Sequence, residues 1–246
     1  MIWRVEHVAE VDSTNRWLVD QAKSGASEGH VIFADYQTAG RGRLDRQWVA
    51  PARSALLCSL LLRPELDTDQ LALVVGAVAL SARAALVRLC GLRPTIKWPN
   101  DLLVGEQKLA GLLAEVVTSD DGTVIVVGIG INLTASPADV PSTDVLKETG
   151  ITLSPRGLLD ILLEDLEWRY AQLHTQDGRA TVHQEYESAL VTVGQRVRVE
   201  RTHDVLEGEV LGIDACGHLI VNVDGVEMFF STGDVVHVRP ELGATT

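Results

Sequence analysis

Residues 40–53 have the composition of an anion-binding loop. They read GRGRLDRQWVAPAR and carry four arginines and one acid, a net charge of +3 in a chain of formal net charge −13. Guanidinium groups bind carboxylates and phosphates through paired hydrogen bonds, and glycines let backbone N–H groups approach an anion. The alternative is a solvated surface loop. A nucleic-acid patch is disfavoured because the chain as a whole is acidic.

Residues 97–101 (KWPND) place a cation, an amide and a carboxylate at the end of a short apolar run. Asp101 could hold Mg²⁺ through oxygen, and Asn100 could contact a nucleotide. Taken alone, this segment is more simply a turn in which Asn and Asp bond their own backbone.

A third segment, residues 108–115 (KLAGLLAE), begins with a lysine and is otherwise mostly apolar. Lys108 could place a positive charge beside a phosphate, and Gly111 would allow a ligand to approach the strand closely. An ordinary solvated lysine at the end of a strand is the competing interpretation.

The run VIVVGIGINL (residues 124–133) contains a glycine pair that resembles a dinucleotide-binding fingerprint. The third glycine of that fingerprint is missing, because Leu133 stands in its place, and loop residues follow where a helix is required. The dinucleotide interpretation therefore fails. Asn132 nonetheless ends a buried strand, where its side chain can reach a ligand.

Other catalytic templates are absent from the sequence. There is no GxxxxGK[ST] phosphate loop and no GxSxG nucleophile turn. Cys216 and His218 are the only neighbouring Cys/His pair, which is too few ligands for zinc. No arrangement of Ser or Cys with His indicates a covalent nucleophile. The remaining possibility is a site that works by charge and positioning.

Five segments, in order along the chain, resemble the biotin–protein ligases. They are Ser13-Thr14-Asn15, QTAGRGR (residues 37–43), KWPND (97–101), KLAG (108–111) and GIGIN (128–132). The resemblance implies an α/β (α+β) catalytic domain related to class II aminoacyl-tRNA synthetases over residues 1–190. It implies a small SH3-like β-barrel over residues 191–246. Because the first motif lies so near the start, we expect the monofunctional type, without the N-terminal DNA-binding domain that some members carry.

The activity implied by this resemblance has two steps. ATP and biotin, with Mg²⁺, form biotinyl-5′-AMP and pyrophosphate, and a lysine of a biotin carboxyl carrier domain then attacks the adenylate. No covalent enzyme intermediate is needed. Two alternatives stay open: a lipoate ligase of the same superfamily, and a biotin-binding protein without catalytic activity.

The resemblance also implies roles for individual residues. The predicted biotin-binding residues are Ser13, Thr14, Asn15, Gln37, Arg41, Gly42, Arg43, Lys108 and Gly111. The predicted ATP-binding residues are Gly40, Arg43, Trp48, Lys97, Asn100 and Asn132, with Asp101 as a magnesium ligand. Arg41, Arg43 and Lys108 are the predicted catalytic residues. The family usually has glycine at the sixth loop position, where Asp45 stands here; an acid there could loosen anion binding or pair with Arg46.

Alternating strand and helix patterns must position these residues. Four helices are predicted: one that begins at residues 12–15, one over 67–89, one that begins at Ser154-Pro155 and one over 180–190. Strands are predicted over residues 31–34, 54–62 and 95–98. Residues 108–117 and 123–131 are predicted to form a hairpin whose turn is at residues 119–122. After residue 190, short alternating strands with glycine turns predict a small β-barrel or meander that carries more acids than bases.

Composition completes the expectations. With 246 residues, 46% of them hydrophobic, the chain can bury a sizeable core. We expect a soluble, cytoplasmic monomer or homodimer that binds neither nucleic acid nor membranes. The first residues lack a signal-peptide pattern, and the longest apolar run, residues 71–80, is about half of what a membrane span needs. Three scattered cysteines without a CxxC pair indicate a reducing compartment.

Overall fold

The structure is a computed structural model that describes residues 2–119, 122–200, 205–231 and 233–238. Within these residues the chain forms a seven-stranded sheet, then a group of helices, then a five-stranded sheet. The first sheet consists of β1 (Arg4–Val11), β2 (His30–Gln37), β3 (Ala55–Leu62), β4 (Thr95–Lys97), β5 (Asp101–Val104), β6 (Gln107–Ser119) and β7 (Gly122–Asn132). The second consists of β8 (Arg196–Glu200), β9 (Val205–Ile213), β10 (Leu219–Val223), β11 (Val226–Phe230) and β12 (Asp234–His237).

The described helices are α1 (Thr14–Lys23), α2 (Leu71–Cys90), α3 (Val145–Thr149), α4 (Pro155–Gln172) and α5 (Gln176–Ala189), with one 3₁₀ turn at Thr68–Gln70. Four of the five described α-helices begin at a residue whose side chain caps them, and α2 is the exception. Ser13, Asp144, Ser154 and Thr175 each accept a hydrogen bond from a backbone N–H in the first turn of the helix that follows.

The first sheet has the order β1-β2-β3-β7-β6-β5-β4, with β1 and β2 parallel and the other neighbours antiparallel. Strand β3 (ALLCSLLL) is buried along its whole length because both faces of the sheet are covered there. On one face, α2 and α4 pack over the main core. On the other face, α1 covers only one end, where Leu18 and Ala22 pack on Ile32 and Leu61. The rest of that face is available for a ligand site.

The second sheet lies against the end of β4. The Trp98 indole N–H donates to the Gly217 carbonyl at 3.0 Å, and the Val191 N–H donates to the Ile96 carbonyl at 2.8 Å. Buried side chains of both sheets, including Trp98 and Val197, belong to one continuous core.

Several predicted elements are confirmed: the helix start near residue 14, the strands at 31–34 and 54–62, the hairpin arms and the helix at Ser154-Pro155. The predicted helix at 180–190 begins earlier, at Gln176, because Thr175 caps it. Strands β1 and β5 and helix α3 were not predicted. Asp120 and Asp121 of the predicted hairpin turn lie outside the described residues.

The pattern after residue 190 predicted a barrel or a meander, and the described strands form a meander. Strands β8 to β11 pair in sequence, and β12 returns beside β8, so the order β11-β10-β9-β8-β12 has two ends. The described pairings do not close it into a barrel.

The segment Thr68–Cys90 is long and apolar enough, by length and composition, to cross a membrane. The apolar stretch thus exceeds the ten-residue run seen in the sequence. Two thirds of its most apolar window (67%) is buried inside the protein, and the helix contacts α4 and α5. In this structure α2 is the core helix of the fold.

Candidate active site

A cavity of about 520 Å³ opens on the face of the first sheet that α1 leaves partly uncovered. Every residue predicted to bind biotin, ATP or magnesium lines it, except Gly40. Those residues are Ser13, Thr14, Asn15, Gln37, Arg41, Gly42, Arg43, Trp48, Lys97, Asn100, Asp101, Lys108, Gly111 and Asn132. Gly40 lies at the base of the loop instead, where its carbonyl accepts from the Trp48 N–H at 3.0 Å.

Glycines on neighbouring strands form the floor of the cavity. Gly128, Gly130 and Asn132 alternate along β7 and therefore share one face of the sheet. Gly130 pairs with Gly111 of β6. The Trp48 indole lies on this glycine pair: a Cβ built at Gly130 would come within 2.8 Å of Trp48 Nε1, and one at Gly111 within 3.1 Å of Cζ3. The GIGIN motif is therefore a flat floor for a ring.

Neutral polar groups gather at the N-terminus of α1. Gln37 Oε1 accepts from the Thr14 N–H at 2.8 Å and from the Thr14 hydroxyl at 3.0 Å. Ser59 Oγ lies 2.6 Å from Asn15 Oδ1 and 2.9 Å from Thr14 Oγ1, and it can donate its proton to either. Asn15 Nδ2 donates to the Leu113 carbonyl at 3.1 Å. This end of the site offers hydrogen bonds without net charge.

The arginine-rich loop closes on itself and reaches across the cavity. The Gly42 N–H donates to the Arg46 carbonyl at 2.7 Å. Arg41 Nη1 lies 2.9 and 3.0 Å from the two carboxylate oxygens of Glu115. Arg43 donates to Asn100 Oδ1 and to the Gly233 carbonyl, both at 3.2 Å. The loop is thus joined to both sheets.

Two successive loop residues have left-handed backbone geometry, Leu44 at φ 53° and Asp45 at φ 57°. Glycine adopts this region freely, whereas other residues pay a steric penalty, which aspartate tolerates better than most. The structure therefore explains why glycine suits the sixth loop position.

The cationic end of the cavity centres on Lys108. Its Nζ lies 2.6 Å from Asp101 Oδ1 and 5.8 Å from the centre of the Trp48 ring. Lys108 therefore forms an ion pair with the buried Asp101 Oδ1. Two buried polar atoms of the cavity residues have no hydrogen bond, Trp48 Nε1 and Asn132 Oδ1. Such atoms are the usual contacts of a polar ligand.

Two titratable groups near the cavity have shifted pKa values. Burial raises the pKa of the Cys58 thiol to about 12, so this cavity residue is a neutral thiol at physiological pH and is unsuited to nucleophilic attack. Burial, and next the positive charge of Lys97, hold the pKa of His237 below its usual value. His237 of β12 is therefore neutral beside this end of the site.

The cavity can therefore hold one molecule with a neutral polar ring and another with several negative charges. Comparison with known proteins decides the family. The model of the Biotin/lipoate A/B protein ligase family matches residues 8–132, and that of the Biotin protein ligase C terminal domain matches residues 192–238. The chain belongs to the biotin protein ligase family.

Relatives of this family match nearly the whole chain. The biotin–[acetyl-CoA-carboxylase] ligase of Mycobacterium tuberculosis is 37% identical over 96% of this chain and 90% of its own length. The bifunctional ligase/repressor BirA of Escherichia coli is 31% identical over 92% of this chain and 71% of its own length. A biotin protein ligase from Aquifex aeolicus, solved with biotin and ATP, superimposes with a TM-score of 0.81 at 27% identity, covering 96% of this chain and 99% of its own.

Three residues that contact the cavity residues without lining the cavity were not predicted from the sequence. Ser59 lies in the apolar run of β3, and Glu115 ends the KLAGLLAE segment, whose lysine and glycine were the predicted site residues. Gly233 belongs to the second sheet. Each meets its partners only through folding. The polar character of Ser59, within an otherwise apolar strand, was the one signal available.

Proposed function

We propose that this chain activates biotin with ATP to biotinyl-5′-AMP and transfers the biotin to a lysine of a biotin carboxyl carrier domain. The observation that carries the proposal is one cavity that joins a neutral polar end to a cluster of arginine and lysine above a glycine floor. Two relatives, from Mycobacterium tuberculosis and Paracoccus denitrificans, are named biotin–[acetyl-CoA-carboxylase] ligases, which agrees with this reaction.

The neutral end suits the ureido ring of biotin. That ring has two N–H donors and one carbonyl acceptor, so it needs hydrogen-bonding partners without charge. Thr14, Gln37, Ser13 and Asn15 offer such partners, and Ser59 holds Thr14 and Asn15 in place from below. A charged group here would stay unpaired against an uncharged ring, at a cost in binding.

The cationic end suits the reacting anions. The biotin carboxylate must approach the α-phosphate of ATP despite their repulsion, and Arg41, Arg43 and Lys108 would supply the opposing charge. Lys108 is held by Asp101 in this structure, so it must leave that carboxylate, or share it, to reach a phosphate. Burial raises the pKa of the Cys58 thiol, so this cavity residue is unsuited to act as a nucleophile in the reaction.

Trp48 and Asn132 would receive the adenine. Both have buried polar atoms without hydrogen bonds, an N–H on Trp48 and a carbonyl oxygen on Asn132. Adenine presents ring nitrogens that accept and an amino group that donates, so it matches both atoms. The indole itself adds a flat apolar surface.

Magnesium fits this site as a companion of ATP. Among the described residues no three His, Cys, Asp or Glu side chains cluster as a ready metal site. Magnesium, however, binds one or two carboxylates together with substrate phosphates. Asp101, a carboxylate of the cavity whose Oδ1 pairs with the Lys108 ammonium at 2.6 Å, would be the protein ligand. With Asp101 holding the ion, the Lys108 ammonium would be available to a phosphate.

The proposal also includes the type of each domain and the cellular compartment. We assign residues 1–190 to a class II aminoacyl-tRNA synthetase-like catalytic domain and residues 191–246 to an SH3-like domain; the change from helices to the second sheet between α5 and β8 supports this division. All three cysteines are free, which suits the reducing cytoplasm.

Pyrophosphate release tests the proposal. The purified chain should release pyrophosphate from ATP when biotin is present and transfer biotin to a carrier domain. Lipoate in place of biotin tests the alternative ligase. Binding of biotin without pyrophosphate release would make the chain a binding protein and refute the ligase assignment.

Replacing Arg43 with alanine is expected to shorten the retention of the adenylate. Arg43 joins the loop to Asn100 and Gly233, so its loss removes two hydrogen bonds that its guanidinium donates; at 3.2 Å both are long for a charged donor, and each is worth about 1 kcal/mol. Dissociation of biotinyl-5′-AMP should be roughly 10- to 100-fold faster in a single-turnover filter assay. Arg53→Ala, which removes an exposed arginine paired with Asp35, is the matched control. Equal retention by the two variants would contradict this role.

Asp45→Gly is expected to act in the opposite direction. Glycine removes the steric penalty of left-handed geometry, about 1 kcal/mol, and also removes a negative charge from a loop that holds anions. Adenylate dissociation should become about 2- to 5-fold slower by the same assay. Asp45→Asn separates the two causes, because it removes the charge while keeping a residue that tolerates this geometry. A faster dissociation in Asp45→Gly would show that the loop does not keep this conformation over the adenylate.

A further inference from the structure

Glu115 lies between the arginine loop and the neutral end of the cavity, although nothing so far gives it a role in the reaction. Its carboxylate oxygens accept from Arg41 Nη1 at 2.9 and 3.0 Å. One of them, Oε2, also accepts from Asn15 Nδ2 at 2.9 Å. Glu115 itself does not line the cavity. It therefore touches two predicted ligand-binding residues without facing the ligand.

The fold places this carboxylate with little freedom. Gly111, Leu113 and Glu115 alternate along β6 and share one face, and Glu115 pairs with Val126 of β7. Asn15 is 4% exposed and stands above Gly128, where a Cβ would approach Asn15 Cγ to 2.9 Å. Because the Asn15 amide is wedged in this way, it can hold one oxygen of Glu115 at a fixed place.

These contacts form a continuous polar chain. Gln37 accepts from Thr14, Ser59 bridges Thr14 and Asn15, Asn15 donates to Glu115, and Glu115 accepts from Arg41. Its first members are predicted to hold the ureido ring, and its last member belongs to the loop. A ligand that orders the first members would thereby fix the carboxylate that receives Arg41.

We propose that Glu115 is a positioning residue that anchors Arg41 of the loop to the biotin-binding end of the site through Asn15. This inference rests on the proposed function, since it assumes that biotin occupies the neutral end. Occupation of that end would restrain the loop through Glu115, and Glu115 would act without touching the ligand.

Charge is the essential property of this anchor. Both neighbours of Glu115 present only N–H groups, so two acceptor oxygens are required. Glu115→Gln keeps the size of the side chain but replaces one acceptor by an NH₂ donor, which would face Arg41 Nη1 in either orientation of the amide, because Arg41 contacts both oxygens and Asn15 only Oε2. The mismatch is therefore expected to fall on the half-exposed Arg41.

Limited trypsin digestion measures this restraint, because trypsin cleaves after arginines of the loop. In wild type, biotin should slow cleavage there by roughly 10-fold, the effect of one charge-assisted hydrogen-bonded anchor. In Glu115→Gln, biotin should slow it by less than about 2-fold, while the affinity for biotin changes by less than about 3-fold, since the ring contacts remain. Glu164→Gln is the matched control, because Glu164 also pairs with an arginine at 2.9 Å, on the helical side of the fold.

A double-mutant cycle decides whether Glu115 acts through Arg41. Arg41→Gln and Glu115→Gln should each lower biotin protection, and the double variant should lose no more than either single one. Protection in Glu115→Gln equal to that of wild type, or additive losses, would overturn the proposal. If Glu115→Gln fails to fold, Glu115→Asp takes its place: it keeps the carboxylate on a shorter side chain that no longer reaches Arg41, so it should lower biotin protection in the same way, and unchanged protection would overturn the proposal. If wild type does not bind biotin at all, the proposed function itself fails, which is a distinct outcome.

Discussion

Lys108→Ala should release pyrophosphate from biotin and ATP about 100- to 1,000-fold more slowly than wild type, the cost of losing one preorganised group that faces a developing charge. Lys108 Nζ lies at the cavity floor, 2.6 Å from Asp101 and 5.8 Å from the centre of the Trp48 ring. Without it Asp101 would face the phosphates with its charge uncompensated. The loss should appear in kcat, whereas the KM for biotin should change little because the neutral end is intact.

Lys147→Ala provides the control for this variant. Lys147 is an exposed lysine whose ammonium group donates to Gln107, the residue next to Lys108, yet it does not line the cavity. The Lys147→Ala variant therefore loses the same type of side chain, with the same charge, from the same region of the surface. Comparable pyrophosphate release by the two variants would contradict a direct role for Lys108.

Local sequence signals predicted the elements and much of the candidate site. Ser154 followed by Pro155 predicted a helix start, and α4 begins there with Ser154 as its cap. The arginine loop was recognised because four arginines and two glycines are unusual within an acidic chain. The GIGIN motif was correctly rejected as a dinucleotide fingerprint. Side chains alternate between the two faces of a strand, so Gly128, Gly130 and Asn132, at every second position of this motif, share one face.

The parts that the sequence did not predict depend on contacts between distant residues. Asn15 and Glu115 are 100 residues apart, and Arg43 and Gly233 are 190 apart. Ser59 lies in a strand whose other residues are apolar, so only its partners on α1 reveal its function. Strand β1 (RVEHVAEV) lies at a sheet edge with mostly exposed side chains, and it lacks the apolar alternation that marks a half-buried strand.

Gly130 and Gly128 lie on the same face of β7 but under different side chains, so alanine at each should affect a different substrate. Gly130→Ala should mainly raise the KM for ATP. An added Cβ would come within 2.7 Å of Trp48 Cζ2 and 2.8 Å of Nε1, so the indole must leave the floor. Gly130 is not among the residues with positive φ, and alanine itself is therefore tolerated by the strand. We expect the KM for ATP to rise by roughly 10- to 100-fold, consistent with about 1–3 kcal/mol for loss of a stacking surface.

Gly128→Ala is the matched variant, two residues away on the same strand and face. There the added Cβ would approach Asn15 Cγ to 2.9 Å rather than Trp48, and Ser59 Oγ to 3.3 Å. It should therefore raise the KM for biotin, with a smaller effect on ATP. Steady-state kinetics with each substrate varied in turn would show this crossed pattern. If both variants raised the same KM by the same factor, the two glycines would support one ligand, and the assignment of separate biotin and adenine ends would be wrong. The crossed pattern is expected because side chains from α1 and from the arginine loop cover different glycines of one strand.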